Sequence, residues 1–167
     1  VTRREEWHVT VAGDPIKWHA VCGLLNIKPL YIELNTFQRQ LMCAAPFNPC
    51  ERIMQMGIPI TRVKHEVESL LPGEVALYWE CHLKFNGPFQ HGIFGSSRDL
   101  YRADRWYLTH RQETEFDHSV VDDLAAAVTF HTTHPTLAWH HHPSILAGFE
   151  YEACVLDSNP ELDSEWL

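Results

Sequence analysis

The chain has 167 residues and a mass of 19.4 kDa, which at roughly 100–200 residues per domain allows one domain or two small lobes and excludes a barrel-sized enzyme with a separate cofactor domain. Hydrophobic residues make up 45% and charged residues 21%, ordinary globular proportions that exclude disorder as the global state. Thirteen Lys and Arg against 22 Asp and Glu give a net charge of −9, so duplex nucleic acid is not an expected partner.

Residues Trp7 to Gly13 alternate and are rich in β-branched side chains, which predicts a strand. Asp14 then caps, Pro15 enters the first turn, and Trp18, Val21, Cys22 and Leu25 recur at helical spacing until Asn26. Leu30 to Leu34 and Arg39 to Ala44 read as two strands joined around Asn35-Thr36. Pro49 to Met56 reads as a short helix ended by Gly57, and Ile60 to Glu68 as a strand. Turn chemistry at Pro72-Gly73 opens the second half.

Ala76 to Phe85 carries the clearest alternation, with Leu77, Trp79, Cys81, Leu83 and Phe85 on one face and Tyr78, Glu80, His82 and Lys84 on the other. Asn86 to Asp104, rich in Gly, Ser and Arg, is expected to be irregular or only briefly helical. Arg105 to Gln112 predicts a strand with Trp106 and Leu108 on one side and Tyr107, Thr109 and Arg111 on the other. A capped helix starts at Asp117, with Val120, Val121, Leu124, Ala125 and Val128 on one stripe. A Thr-, Pro- and His-rich loop from His131 to Pro143, a strand from Phe149 to Asp157 and a short terminal helix from Ser158-Asn159-Pro160 complete the chain.

These elements predict the α+β class. The preferred architecture is a single bilobal domain of two pseudo-symmetric small α/β lobes, residues 1–71 and 72–167, whose antiparallel sheets line a central cleft. One twisted antiparallel sheet with helices on its back is the alternative. No apolar run reaches the ~18 residues of a membrane helix, and the polar start leads directly into the first strand, so a cytoplasmic protein without a membrane partner is expected. The five cysteines are scattered and include no Cys-x-x-Cys, which predicts buried packing thiols and neither a disulfide framework nor a thiolate zinc site.

Three constellations carry chemistry. In a strand, His8-Val9-Thr10 aims an imidazole and a hydroxyl to one side. The row Tyr78, Glu80, His82, Lys84 combines a base, an orienting carboxylate and a cation. Thr109 and Arg111 share a face and end a locally basic stretch containing Arg98, Arg102 and Arg105, the expected place for a phosphate.

His8-Val9-Thr10 resembles the first signature of the LigT-like two-histidine phosphoesterases, in which two His-x-Thr/Ser motifs on facing strands cleave cyclic or 2′,5′ phosphodiesters. His82-Leu83-Lys84 takes the place of the second, with Lys84 where that family has Thr or Ser. The resemblance implies a metal-independent phosphodiesterase without cofactor acting on a cyclic nucleotide or small phosphate ester. His8 and His82 would exchange protons while Thr10, Lys84 or Arg111 hold phosphate oxygens, Glu80 would orient His82, and Tyr78, Arg98 and Thr109 would complete the substrate contacts. Glu80 to Lys84, Thr109 to Arg111 and Asp157 to Trp166 are also similar to a pattern in uncharacterised bacterial and phage proteins, which implies no activity.

The runner-up reading is a non-catalytic protein that sequesters a nucleotide or similar ligand, which Lys84 in place of a second Thr favours. A protein-interaction module is the third. His131, His134 and His140 to His142 could ligate a metal, but no carboxylate or Cys in that segment completes a site, so no metal is assigned there. The acidic residues Glu150, Glu152, Asp157, Glu161, Asp163 and Glu165 are expected at a solvated edge and in the terminal helix.

Overall fold

A computed structural model describes residues 3–35, 38–44, 48–89, 95–99, 101–133 and 144–159. The chain divides into two compact units, the first formed by Val1–Leu77 with Ala153–Leu167 and the second by Tyr78–Glu152. The division falls at Leu77/Tyr78, a few residues beyond the expected Pro72-Gly73 turn, and the chain re-enters the first unit at Ala153. The α+β class holds, and every described strand pairing is antiparallel. Among the described residues no helix is long and apolar enough to cross a membrane.

In the first unit, β1 (Glu5–Ala12) pairs on one side with β3 (Gln38–Cys43) and on the other with β4 (Ile60–Val67), while β2 (Lys28–Asn35) pairs with β3. The last strand, β8 (Ile145–Ser158), adds its downstream half to β4, with Val67 opposite Ala153 and Val63 opposite Ser158. Helix α1 (Pro15–Leu25) starts where the sequence signals it: Asp14 Oδ1 accepts the Ile16 amide at 2.9 Å and Pro15 occupies the first turn. It ends at Asn26 in the left-handed region, φ 52°, a conformation Asn tolerates better than most residues. Trp18 and Val21 from α1 and Ile53 from α2 (Cys50–Gln55) bury against Trp7, Val9 and Val11 of β1.

The second unit contains β5 (Tyr78–Asn86), β6 (Ser96–Arg98), β7 (Arg105–Gln112), helix α3 (His118–Thr133) and the upstream half of β8. β7 pairs with β5 on one edge and β6 on the other. Trp79, Cys81, Leu83 and Phe85 are buried as the alternation predicts, and Phe85 stacks on fully buried Trp106 at 4.7 Å. Asp117 accepts the Ser119 and Val120 amides and starts α3, whose Val121 and Val128 are buried.

Several sequence expectations are corrected. Leu77 lies outside β5 and is exposed. Tyr78 and Glu80 on the face expected to be displayed are buried, so β5 is covered on both sides over its first half. Ser96–Arg98 forms a short strand within the stretch expected to be irregular, because the β7 edge offers it a partner. His131–Thr133 continue α3, and β8 begins at Ile145, four residues ahead of Phe149. Glu152, expected on a solvated edge, is buried, because the strand carries it into the interior just before Ala153 and Cys154. Four cysteines are buried, Cys22 is partly so, and all five are free. The remainder of the His-rich loop and the terminal helix lie outside the described residues.

Candidate functional site

In the first unit, antiparallel register sets Glu6 opposite Glu66 and His8 opposite Lys64. The pairing is then completed along and across the strands. His8 Nε2 lies 3.0 Å from Glu6 Oε2 and 3.4 Å from Glu66 Oε2, and Lys64 Nζ lies 2.7 Å from Glu66 Oε1. Burial works against charging the His8 ring, but the hydrogen bond to Glu6 and the negative charge of Glu66 and Glu6 outweigh it and raise its pKa. One register step away, His65 stacks on Trp7 with ring centroids 4.0 Å apart. Burial dominates there and lowers the His65 pKa despite its contact with Glu5. Thr10 follows His8 on β1 but is only 5% exposed, so its hydroxyl is far less accessible than the resemblance implied.

In the second unit the register between β5 and β7 assembles the predicted row. Glu80 stands opposite Arg111, His82 opposite Thr109 and Lys84 opposite Tyr107. Arg111 Nη2 reaches Glu80 Oε1 at 3.3 Å, and its guanidinium carbon lies 3.8 Å from the Tyr78 ring centroid. These three residues are therefore largely engaged with one another. His82 is held from both ring nitrogens: Nδ1 is 3.0 Å from Thr109 Oγ1, and Nε2 is 3.2 Å from Glu152 Oε2 and 3.5 Å from Glu80 Oε2. Glu152 is the partner sequence reasoning missed. Its signal was a single carboxylate placed directly before the apolar run Ala153-Cys154-Val155-Leu156.

Cavities open among the described residues of this unit. One of about 330 Å³ is lined by His82, Lys84, Tyr107, Gly148, Phe149 and Glu150, and Lys84 makes no ion pair among the described residues. Another, of about 370 Å³, is lined by Phe89, Arg98, Asp99, Tyr101, Arg102, Ala103 and Arg105. Arg98 covers the Phe89 ring at 4.8 Å, and Arg102 makes a two-pronged pair with Asp104 at 2.8 and 3.0 Å. Arg105 Nε is buried with no hydrogen-bond partner among the described residues.

The predicted residues Tyr78, Glu80, His82, Lys84, Thr109 and Arg111 thus share one face of the β5–β7 pair. Arg98 belongs to the arginine-lined cavity, and His8 and Thr10 belong to the first unit. Comparison with known proteins finds no matching family model, no matching curated protein and no matching solved structure.

Proposed function

We propose that the protein binds a small phosphate-bearing ligand, such as a cyclic nucleotide, through the arginine-lined cavity of its second unit. The observation that carries this reading is the convergence of Arg98, Arg102 and Arg105 on one cavity in which Asp99 is the sole carboxylate among the described lining residues. Guanidinium groups present planar forks of N–H donors that match phosphate oxygens, and the buried Arg105 Nε is a donor such an anion could use. The 80% exposed Tyr101 offers a ring face for a base. In the neighbouring cavity Lys84 supplies a further cation.

The geometry gives less support to cleavage by two imidazoles. That scheme needs pseudo-symmetric lobes around a central cleft, and His8 and His82 each border two carboxylates, whose charge opposes an incoming phosphodiester.

Calorimetric titration of the full chain with 2′,3′-cyclic nucleotides and cyclic dinucleotides tests the proposal, with phosphorus NMR on the same mixtures. We expect saturable binding that weakens at least tenfold in Arg98→Ala and Arg105→Ala, with the ligand's phosphorus signal unchanged over time. Affinity indifferent to both substitutions would overturn it. A phosphomonoester signal that disappears in His82→Ala would replace binding with catalysis.

A further inference from the structure

We propose that Glu80, His82 and Glu152 form a three-residue site for a divalent transition-series cation, Zn²⁺ or Mn²⁺. This goes beyond the phosphate-binding reading and uses none of the arginine-cavity residues. The imidazole Nε2 and the two carboxylates converge: their donor atoms all lie within 4.8 Å of one another, with Nε2 at 3.2 Å from Glu152 Oε2 and 3.5 Å from Glu80 Oε2. Ligands joined to one ion by bonds of ~2.1 Å stand roughly 3.0–3.4 Å apart in octahedral or tetrahedral geometry. The existing separations therefore come close to a coordination shell without any strand moving.

Two observations outside the cluster support a bound cation. Thr109 Oγ1 holds the other ring nitrogen at 3.0 Å, the kind of outer contact that fixes the tautomer and orientation of an imidazole ligand. His82 also lines the cavity of about 330 Å³, so an ion beside it would have access to water or a ligand for its remaining positions. One nitrogen with carboxylate oxygens suits Zn²⁺ or Mn²⁺ better than Ca²⁺, which takes ~6–8 oxygens.

Glu6, His8 and Glu66 make a similar cluster in the first unit, where the Lys64 ammonium lies 2.7 Å from Glu66 Oε1. In the second unit Arg111 Nη2 pairs with Glu80 Oε1 at 3.3 Å, while the oxygen nearer His82 Nε2 is Glu80 Oε2. For the second unit, the sequence expectation that no metal is needed is replaced by this proposal.

Titration of the full chain with Zn²⁺ measures affinity and stoichiometry, and electron-spin-echo spectroscopy with Mn²⁺ detects a directly bound imidazole nitrogen. Circular dichroism verifies that each variant is folded. We expect Glu152→Gln and His82→Gln each to weaken Zn²⁺ binding at least tenfold, and His82→Gln to abolish the nitrogen signal. Thr109→Val, which leaves all three ligands in place, should weaken binding about tenfold, and His8→Gln should leave it unchanged. Absence of binding by either ion overturns the proposal. So does binding that survives both Glu152→Gln and His82→Gln, which would assign the ion to the histidines between positions 131 and 142.

Discussion

The Tyr107 hydroxyl donates a 3.0 Å hydrogen bond to Asp99 Oδ2, joining a residue that lines the Lys84 cavity to one that lines the arginine cavity. Asp99 Oδ1 meanwhile accepts the amides of Tyr101 and Arg102 at 2.8 and 3.0 Å. The Tyr101 amide, with the Tyr107 hydroxyl and the Arg102 amide behind it, holds the Asp99 carboxyl below its ordinary pKa. Tyr107→Phe removes one of these donors while keeping the ring. We expect amide exchange at Tyr101 and Arg102 to accelerate by about threefold to tenfold, measured by hydrogen–deuterium exchange. Unchanged exchange would show that the two backbone contacts hold the turn unaided.

Gly95 precedes β6 at the end away from Asp99, along the same edge of β7. It adopts φ +77°, accepts the Thr109 amide at 3.0 Å, and lies so near the Thr109 carbonyl that an added Cβ would overlap it. Gly95→Ala should destabilise the protein by about 1–3 kcal/mol, read from urea denaturation. Because Thr109 orients His82, the same variant should also weaken Zn²⁺ binding relative to the parent chain.

His8 and His65 should titrate in opposite directions from the ordinary value of ~6.5. The His8 pKa is raised in the folded chain, so its contribution to stability is complete below ~6.5 and is lost as pH rises through the folded value. The His65 pKa is lowered, so its contribution is present above ~6.5 and is lost as pH falls through the folded value. NMR titration of the ring protons checks both directions. In His8→Gln, the loss of stability on the alkaline side of ~6.5 should disappear while the acid-side loss attributable to His65 persists.

Trp106 anchors the second unit. Its ring is fully buried against Phe85, and its indole N–H donates to Ser144 Oγ at 3.0 Å. Trp106→Ala should cost about 3–5 kcal/mol, measured as a lowered urea midpoint. Trp106→Phe, which keeps the stacking but removes the donor, should cost less.

Local signals in the sequence account for α1 and β7 almost to the residue. Asp14, Pro15 and Asn26 each act on backbone groups within a turn, and the alternation from Arg105 to Gln112 needs no information from elsewhere. The burial of Glu80 and Glu152 was not legible, because it depends on how distant strands cover one another. Strand register was equally hidden. The row on β5 was visible as a list of polar residues, but only pairing with β7 sets Thr109 beside His82 and turns Arg111 back onto Glu80. Thr132 and Thr133 misled for another reason: their low helix propensity did not stop α3, which runs to Thr133.

The path of β8 also orders events during synthesis. The strand that borders β4 at Val63–Val67 is supplied by Ala153–Ser158, after the whole of 78–152 has been made. A nascent chain therefore emerges with that edge of β4 unpaired until the intervening segment is out, the kind of exposed template that invites wrong partners. Rapid closure of the intervening unit would shorten that vulnerable interval.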